Sequence, residues 1–165
     1  MGLGRTRSVG LRGVEGFLVE VESDVAPGLP AFTVSGRADA ACAQAPDRVR
    51  AAASNSRHPV PQRRITVNLS PASVLKVGSG FDLAIVVATL AAAGEIPAGV
   101  VEEVAHIGEL GLDGSVRPVR GLVPVVVAAA KAGARHRVGP GGHATEARPS
   151  PGGEVTREAR AGGAA

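Results

Sequence analysis

Aromatic side chains are scarce in this chain of 165 residues, which contains three Phe and neither Tyr nor Trp. Platforms that bind single-stranded nucleic acid stack successive bases on aromatic rings. The composition therefore disfavours that class of binding surface. Hydrophobic residues make up 44% of the chain, so we expect a packed core built from Val, Leu, Ile and Ala. The length suits a single globular domain.

Cysteine and lysine are also rare. Cys42 is the only cysteine, which excludes a disulfide or a zinc site of paired thiolates within the chain and fits a reducing cytoplasm. The only lysines are Lys76 and Lys131, and neither follows a glycine as the lysine of a Walker-type phosphate loop does. The four histidines show no recognised ligand spacing. We therefore expect no metal and no cofactor in this chain.

Long apolar runs are missing as well. The longest, Leu83–Gly94, is too short to cross a bilayer, and the N-terminus lacks the apolar core of a signal peptide. We expect a cytoplasmic protein with no membrane partner. The net charge of +3 comes almost wholly from arginine. Because Arg, Ala and Gly are enriched together, we attribute this bias to a GC-rich genome rather than to nucleic-acid binding.

Alternation of apolar and polar residues predicts the strands. It indicates a hairpin around Gly13–Gly16, a strand over Ala31–Ser35 and a strand within RRITVNLSP that ends at Pro71. The segment VAHIGELGLDGSVRPVRG is predicted as a strand, a turn at Asp113-Gly114 and a short returning strand, since Asp-Gly is a strong hairpin signal. RHRVGP is predicted as a final short strand.

Three segments favour helices. Ala38–Ser56 is rich in alanine, and its helix either begins near Pro46 or is kinked there. Phe81–Ala93 is apolar nearly all round, which predicts a buried central helix closed by Gly94. Leu122–Lys131 is predicted as the last helix. Strands mixed with helices without strict β-α-β alternation indicate an α+β domain.

The loop KVGSGFDLAI, residues 76–85, is the most distinctive local feature. Gly78 and Gly80 permit sharp turns, and Asp82 is predicted to cap the following helix by accepting its N–H groups. The alternative is an anion site at the helix N-terminus, which the charge of Asp82 disfavours. The candidate contact residues of this loop and of the later turn are Lys76, Gly78, Ser79, Gly80, Asp82 and Asp113.

Long segments of the chain resemble a known family. RVRAAASNS followed by PQRRITVNLSPA, then KVGSGFDLAI, then IGELGLDGSVRPVRGLVPVVVAAAKAG, together with GVEGFLVEVESDVAPGLPAFTVSG, closely resemble the N-terminal domain of the magnesium-chelatase-like AAA+ ATPases of the YifB/ComM group. The resemblance covers roughly Arg5 to Val138. It implies a Lon-protease-domain-like (ribosomal protein S5 domain-2-like) mixed sheet packed with helices over residues 1–138.

The resemblance also sets expectations for the rest of the protein. Residues 139–165 are expected to be a degenerate or flexible tail, and the family's AAA+ ATPase core has no counterpart in this chain, which is compatible with a truncated or frameshifted gene. The full-length family uses ATP and Mg. The implied partners are the AAA+ core of the same family or further copies of the chain, with DNA in the full-length context.

Lon proteases use a Ser–Lys dyad, in which the lysine activates the serine hydroxyl. Matching the Lon pattern to this chain puts the serine position at Phe81 and the lysine position at Val123. Both are apolar, so the resemblance implies a non-catalytic domain that supports assembly or DNA positioning in ATP-driven DNA remodelling. Two alternatives stay open. One is a residual peptidase using Ser79 or Ser70; the other is a DNA-binding module using Arg48, Arg50, Arg63 and Arg64.

Overall fold

The computed structural model describes residues 2–119, 127–128, 136–140 and 154–158. The strands are β1 (Leu3–Arg12), β2 (Glu15–Ala26), β3 (Ala31–Ser35), β4 (Arg64–Ser70), β5 (Val104–His106), β6 (Glu109–Leu110), β7 (Val116–Arg117), β8 (His136–Pro140) and β9 (Glu154–Glu158). The helices are α1 (Ala40–Ala43), α2 (Ala45–Asn55), α3 (Asp82–Ala92) and α4 (Ala98–Val101).

Seven of the strands form one mixed sheet in the order β3-β4-β2-β1-β5-β8-β9. The β1–β2 and β2–β4 pairs are antiparallel. The β3–β4, β1–β5, β5–β8 and β8–β9 pairs are parallel. β6 and β7 form a separate antiparallel pair. A mixed sheet with packed helices confirms the predicted α+β class.

One face of the sheet carries the core, and the opposite face is charged. On β4 the buried residues Ile65, Val67 and Leu69 alternate with partly or fully exposed neighbours. This is the period-two pattern of a strand with one solvated face. On the outer face Arg5 of β1 pairs with Glu22 of β2 at 2.9 Å between Nε and Oε2.

Helix α3 lies across β1 and β2 at the centre of the core. All of its residues are buried, as its nearly all-apolar sequence predicts. The approach to β1 is close at Gly4, where an added Cβ would lie 2.0 Å from the carbonyl oxygen of Ala88. Gly94 follows the helix with a φ of 80°, which confirms its predicted role of ending the helix in the left-handed region.

Several boundaries differ from the sequence-based expectations. Pro46 lies at the beginning of α2, so the prediction that the helix starts near it is confirmed, and the separate short α1 precedes it. The predicted turn at Asp113-Gly114 and its returning strand are confirmed by the β6–β7 pair. The single strand predicted before that turn is wrong, because it divides into β5 of the large sheet and β6 of the small one. The chain leaves the sheet after β5 because Gly108 exchanges backbone hydrogen bonds with Gly80 (3.0 Å) and Leu83 (3.1 Å).

The structure describes only part of the C-terminal segments for which the sequence makes predictions. RHRVGP contains β8, as predicted. Most of the predicted helix over 122–131 lies outside the described residues, although Val127 and Ala128 are helical. Strand β9 falls in the segment 139–165 and pairs with β8; the remainder of that segment after Pro140 is outside the described residues.

Candidate functional site

The loop between β4 and α3 is tied to α1 by a single acid. Asp39 is the N-cap of α1, where its Oδ1 accepts the N–H of Cys42 at 2.8 Å. The same carboxylate accepts the N–H of Gly78 at 3.1 Å and 3.2 Å to its two oxygens. Gly78 has a φ of 86°, a conformation that glycine adopts without strain. One carboxylate therefore holds both the start of α1 and the turn of the loop.

Asp82 lies at the other end of the loop, as the first residue of α3, and is fully buried. Its oxygens accept hydrogen bonds from Arg48 Nε (2.7 Å) and Nη2 (3.0 Å), and from the backbone N–H of Leu110 (3.1 Å). The predicted capping role is wrong, since Phe81 occupies the N-cap position and no side chain caps the helix. The acid instead joins α3 to α2 and to the β6–β7 hairpin.

Two opposing effects act on the pKa of Asp82 in its ion pair with Arg48. Burial raises the pKa of Asp82, and the hydrogen bonds from Arg48 act against that rise. The hydrogen bond to Asp82 raises the pKa of Arg48. Because an arginine in a two-point contact with a carboxylate stabilises its charged form, we treat Asp82 as an ionised carboxylate whose charge depends on Arg48.

Lys76 starts the loop, and its ammonium faces inward. The side chain is fully buried, and Nζ donates to the carbonyl oxygens of Gly36 (2.6 Å) and Pro71. Its backbone also bridges to the β3–α1 connection, since its N–H donates to Arg37 O and its carbonyl accepts from Asp39 N. Burial, and secondarily the charge of Arg37, lower the pKa of Lys76. The predicted contact residue is therefore an internal clamp rather than a surface group.

Cys42 lies inside this charged cluster. The thiol is buried, and burial raises its pKa to about 12, with smaller contributions from Asp39 and Asp82. Nucleophilic and metal-binding cysteines act as thiolates, so this arrangement does not favour a reactive role. The described residues also hold no group of three His, Cys, Asp or Glu side chains placed to share a metal ion.

Within the described part of the chain, the candidates for dyad chemistry do not come together. Phe81, which the resemblance to Lon aligned with the catalytic serine, is buried, while Val123 and Lys131 lie outside the described residues. Ser70 Oγ accepts a hydrogen bond from Asn68 at 3.1 Å. Lys76, the lysine nearest in sequence to both serines, donates to two backbone carbonyls. Ser79 is half-buried at the rim of a cleft of about 460 Å³ beside Phe81.

Comparison with known proteins decides the family. Residues 21–142 match the family described as Subunit ChlI of Mg-chelatase, which is more than half of the chain. The chain belongs to this family. The ChlI-type match includes the loop, α2, α3 and the clustered side chains described above.

Named relatives place the chain in the ComM and YifB group of the ChlI family. It is 40% identical to competence protein ComM of Haemophilus influenzae over 72% of this chain and 23% of ComM. It is 38% identical to YifB of Escherichia coli over 73% of this chain and 24% of YifB. An uncharacterised protein of Mycobacterium tuberculosis is 46% identical over 81% of this chain and 26% of its own length. The chain thus spans about a quarter of these relatives.

The four arginines predicted as nucleic-acid contacts do not form one patch in this ChlI-family chain. Arg48 is held by Asp82 and also donates to Ala41 O at 2.7 Å. Arg50 stacks on Phe32, with 5.4 Å between the guanidinium carbon and the ring centroid. Phe32 pairs with Ile65 on the core face, so the adjacent Arg64 points to the opposite face. Arg63 is half-buried just before β4.

Two further side chains, Asp113 and His106, make local hydrogen bonds. Asp113 shapes the β6–β7 turn by accepting Ser115 N (3.0 Å) and Ser115 Oγ (2.7 Å), and these hydrogen bonds lower the pKa of Asp113. His106, one of the four histidines without a recognised ligand spacing, is buried with its Nδ1 2.9 Å from Thr6 Oγ1. Among the described helices, none is both long and apolar enough to cross a bilayer.

Sequence reasoning missed the most connected residue of the site. Asp39 was not singled out, although an acid directly before an alanine-rich run is an N-cap signal. Arg12 and Arg37, which flank a second cleft of about 410 Å³ next to the loop, were also missed. Arg37 has a φ of 59°, and no pattern in the sequence predicts a left-handed arginine at that position.

Proposed function

We propose that this chain is a non-catalytic, Lon-like accessory domain of a ComM/YifB-type AAA+ ATPase. Its role is to support assembly of the ATPase or to position DNA substrate during ATP-driven DNA remodelling. ATP and Mg belong to the ATPase core of the full-length family, and this chain binds neither. The partners are that core or further copies of the chain.

One observation carries the non-catalytic part of the proposal. The position that would hold a Lon nucleophile is occupied by Phe81, which is 3% exposed. The neighbouring lysine is committed to the carbonyls of Gly36 and Pro71. A serine hydroxyl without a base is a poor nucleophile at neutral pH. The loop is instead fixed on both sides by Asp39 and Asp82, which suits a rigid contact surface.

A chimera tests the accessory role. The part of Haemophilus influenzae ComM that aligns with this chain is replaced by residues 1–138, and a second protein lacks that part altogether. We expect the chimera to match ComM in oligomer size by light scattering and in DNA-stimulated ATP hydrolysis, and the deletion protein to lose one or both. A deletion protein that equals ComM in both measurements overturns the accessory role.

Two direct assays on the 165-residue chain test the alternative functions. A fluorophosphonate probe is expected to leave the chain unlabelled; labelling that disappears in the Ser79→Ala or Ser70→Ala variant establishes a peptidase-type serine instead. In fluorescence anisotropy with a DNA oligonucleotide, we expect either no binding or an affinity that does not fall steeply as the salt concentration rises. Steep salt dependence, lost in an Arg63→Ala/Arg64→Ala variant, establishes the DNA-binding module.

A further inference from the structure

The cleft of about 410 Å³ that Arg12 and Arg37 line carries charge of one sign. Arg12 ends β1 and Arg37 follows β3, so the two arginines reach this cleft from separate strands. Gly13 and Ser73 also lie in its wall, and none of the described residues that line it is acidic. We call this feature the basic cleft. Two guanidinium groups in one concave surface raise the local concentration of anions.

Neither arginine is neutralised by a neighbouring acid. No ion pair within the described part of the chain includes Arg12 or Arg37, and both side chains are exposed. Glu15 lies opposite Arg12 in the β1–β2 pairing, yet it forms no ion pair with Arg12 and does not line the cleft. Arg37 Nη1 donates to Ser73 O at 2.8 Å. Because a guanidinium has five N–H donors, this bond holds Arg37 at the wall and leaves donors for a ligand.

A third positive charge lies behind the wall of the basic cleft. Lys76 is fully buried, its chain neighbours on both sides line the cleft, and its Nζ donates to the carbonyl oxygens of Gly36 and Pro71. Burial lowers the pKa of Lys76, the charge of Arg37 lowers it further, and Cys42 acts in the opposite direction. No carboxylate of the described residues pairs with this ammonium. A buried charge without a counter-ion is costly, so an anion at Arg37 would offset an existing excess of positive charge.

We propose that the basic cleft binds a phosphate group between the guanidinium groups of Arg12 and Arg37. A planar guanidinium can donate two parallel hydrogen bonds to phosphate oxygens. The two arginines and the ammonium of Lys76 favour a dianion over a carboxylate, because a single negative charge would leave most of the positive charge unbalanced. The phosphate is either free or the terminal group of a small monoester, whose organic part would lie against the aliphatic Leu11 and Val77. The inference goes beyond the proposed accessory role and does not rest on it.

The surroundings of the basic cleft favour a terminal phosphate over a nucleic-acid backbone. Proteins bind such a backbone along an extended basic surface, with aromatic rings on which bases stack. The described residues that line this cleft include no aromatic ring. They also include none of the arginines that the sequence suggested as nucleic-acid contacts, which are Arg48, Arg50, Arg63 and Arg64. The cleft therefore offers a compact charged site rather than a track along which a strand could run.

The test is an NMR titration of the ¹⁵N-labelled 165-residue chain with sodium phosphate at neutral pH, where a phosphate group carries about 1.5–2 negative charges. A titration with sodium chloride at matched ionic strength measures the effect of screening alone. We expect the amide signals of Gly13, Arg37 and Ser73 to shift with phosphate and to saturate. Phenyl phosphate identifies the source of the group. A higher affinity than that of inorganic phosphate assigns the cleft to a monoester, and an equal affinity assigns it to free phosphate.

Single arginine variants locate the binding. Arg12→Gln and Arg37→Gln should each weaken phosphate binding about tenfold, since each removes a charge-assisted contact. The matched control is Arg57→Gln. Arg57 is exposed, does not line the basic cleft, and has a φ of 64°, close to the 59° of Arg37. The control therefore removes the same charge from the same kind of backbone position, and it should bind phosphate as the unmodified chain does.

Two outcomes of the phosphate titration overturn the inference. One is a set of shifts no larger than those in sodium chloride, and the other is an equal phosphate affinity of the Arg37→Gln and Arg57→Gln variants. An oligothymidine without a terminal phosphate that shifts these signals where inorganic phosphate does not assigns the cleft to a nucleic-acid backbone and also overturns it. Because the titration does not involve the ATPase core, its failure beside a functional chimera removes the phosphate site and leaves the accessory role standing.

Discussion

Arg48 of α2 grips Asp82 of α3 through two hydrogen bonds, Nε to Oδ2 at 2.7 Å and Nη2 to Oδ1 at 3.0 Å. The carboxylate is almost completely buried, with its side chain 1% exposed, and that of Arg48 is 18% exposed. The pair fixes the start of the central helix against α2. The loop that precedes α3 is held at the same place, because Leu110 N–H donates to Asp82 and Gly108 N–H donates to the carbonyl of Gly80.

Removing Arg48 should leave a buried, unpaired carboxylate. We expect Arg48→Met to lower the free energy of unfolding by about 3–5 kcal/mol, measured by urea denaturation. The control is Arg50→Met, which removes an exposed stacking contact on Phe32 and should cost about 0.5–1 kcal/mol. Replacing both partners, as Arg48→Met with Asp82→Leu, should recover much of the loss. Equal effects of the two single arginine variants would contradict this role for the pair.

The same variant should show a distinct pH dependence. Burial raises the pKa of Asp82, and Arg48 opposes that rise, so without Arg48 the folded-state pKa moves further above its unfolded value. A carboxyl group of this kind binds its proton more tightly in the folded state than in the unfolded state. It therefore lowers the free energy of unfolding as the pH rises from the unfolded pKa to the folded pKa, and the full loss is present above the folded pKa. The deficit of Arg48→Met relative to the unmodified chain should therefore shrink as the pH falls. A deficit that grows in acid would contradict the assignment.

The pKa of Lys76 is lowered by burial, which predicts an alkaline effect on stability. In the window between its folded pKa and its ordinary value of 10.5, the unfolded chain binds more protons than the folded chain at this residue. The contribution of Lys76 to stability therefore rises with pH through that window. Urea unfolding at a series of pH values should show that the free energy of unfolding of the unmodified chain increases relative to that of Lys76→Met as the pH rises. A difference that stays constant would exclude a shifted Lys76.

Cys42 should resist alkylation in the folded chain. Its pKa of about 12 leaves little thiolate at neutral pH, and the side chain is 1% exposed. Iodoacetamide labelling, followed by mass spectrometry, should be slow in buffer and fast in guanidinium chloride. As the pH is raised, the labelling rate of the unfolded chain should level off above the ordinary thiol pKa of 9.0. The labelling rate of the folded chain should still increase in that pH range. Native labelling with a plateau near the ordinary value would show an exposed thiol.

Gly4 should tolerate no side chain, because an added Cβ would lie 2.0 Å from Ala88 O and 2.6 Å from Ala92 N. We expect Gly4→Ala to lower the free energy of unfolding by about 3 kcal/mol as α3 is pushed from β1. The matched control is Gly99→Ala, where the added group meets open space within α4 and should stabilise by about 0.5–1 kcal/mol. Thermal unfolding of the two variants compares them directly. Similar melting temperatures would show that α3 does not approach β1 this closely.

Local patterns predicted the elements well because the relevant forces are local. Ala31–Ser35 was predicted with the bounds of β3, and the apolar run of α3 was recognised as buried. The split of VAHIGEL into β5 and β6 was missed, since it depends on two hydrogen bonds: the Gly108 N–H donates to the distant Gly80 carbonyl, and the Leu83 N–H donates to the Gly108 carbonyl. The pattern of apolar and polar residues within VAHIGEL does not predict hydrogen bonds to such distant residues.

The candidate site was predicted as a segment but not as a set of contacts. Gly78 and Asp82 were recognised as special, yet the partner of Asp82 lies 34 residues earlier at Arg48. Arg48 was named as a possible nucleic-acid contact, a role that requires an exposed guanidinium. Its burial depends on how α2 packs against α3, which side-chain spacing along one helix does not specify.

The amino-acid sequence by itself determined the family, the α+β class, the buried central helix and the absence of a Walker-type lysine, because these depend on residue identity and short-range periodicity. Only the tertiary structure decided that Lys76 faces inward, that Asp82 is an ion-pair partner rather than a cap, and that Arg12 and Arg37 line one cleft. Each of these depends on chain segments that meet through β-sheet pairing and helix packing. The fate of a charge is set by the groups that surround it after folding, and those groups are distant in sequence.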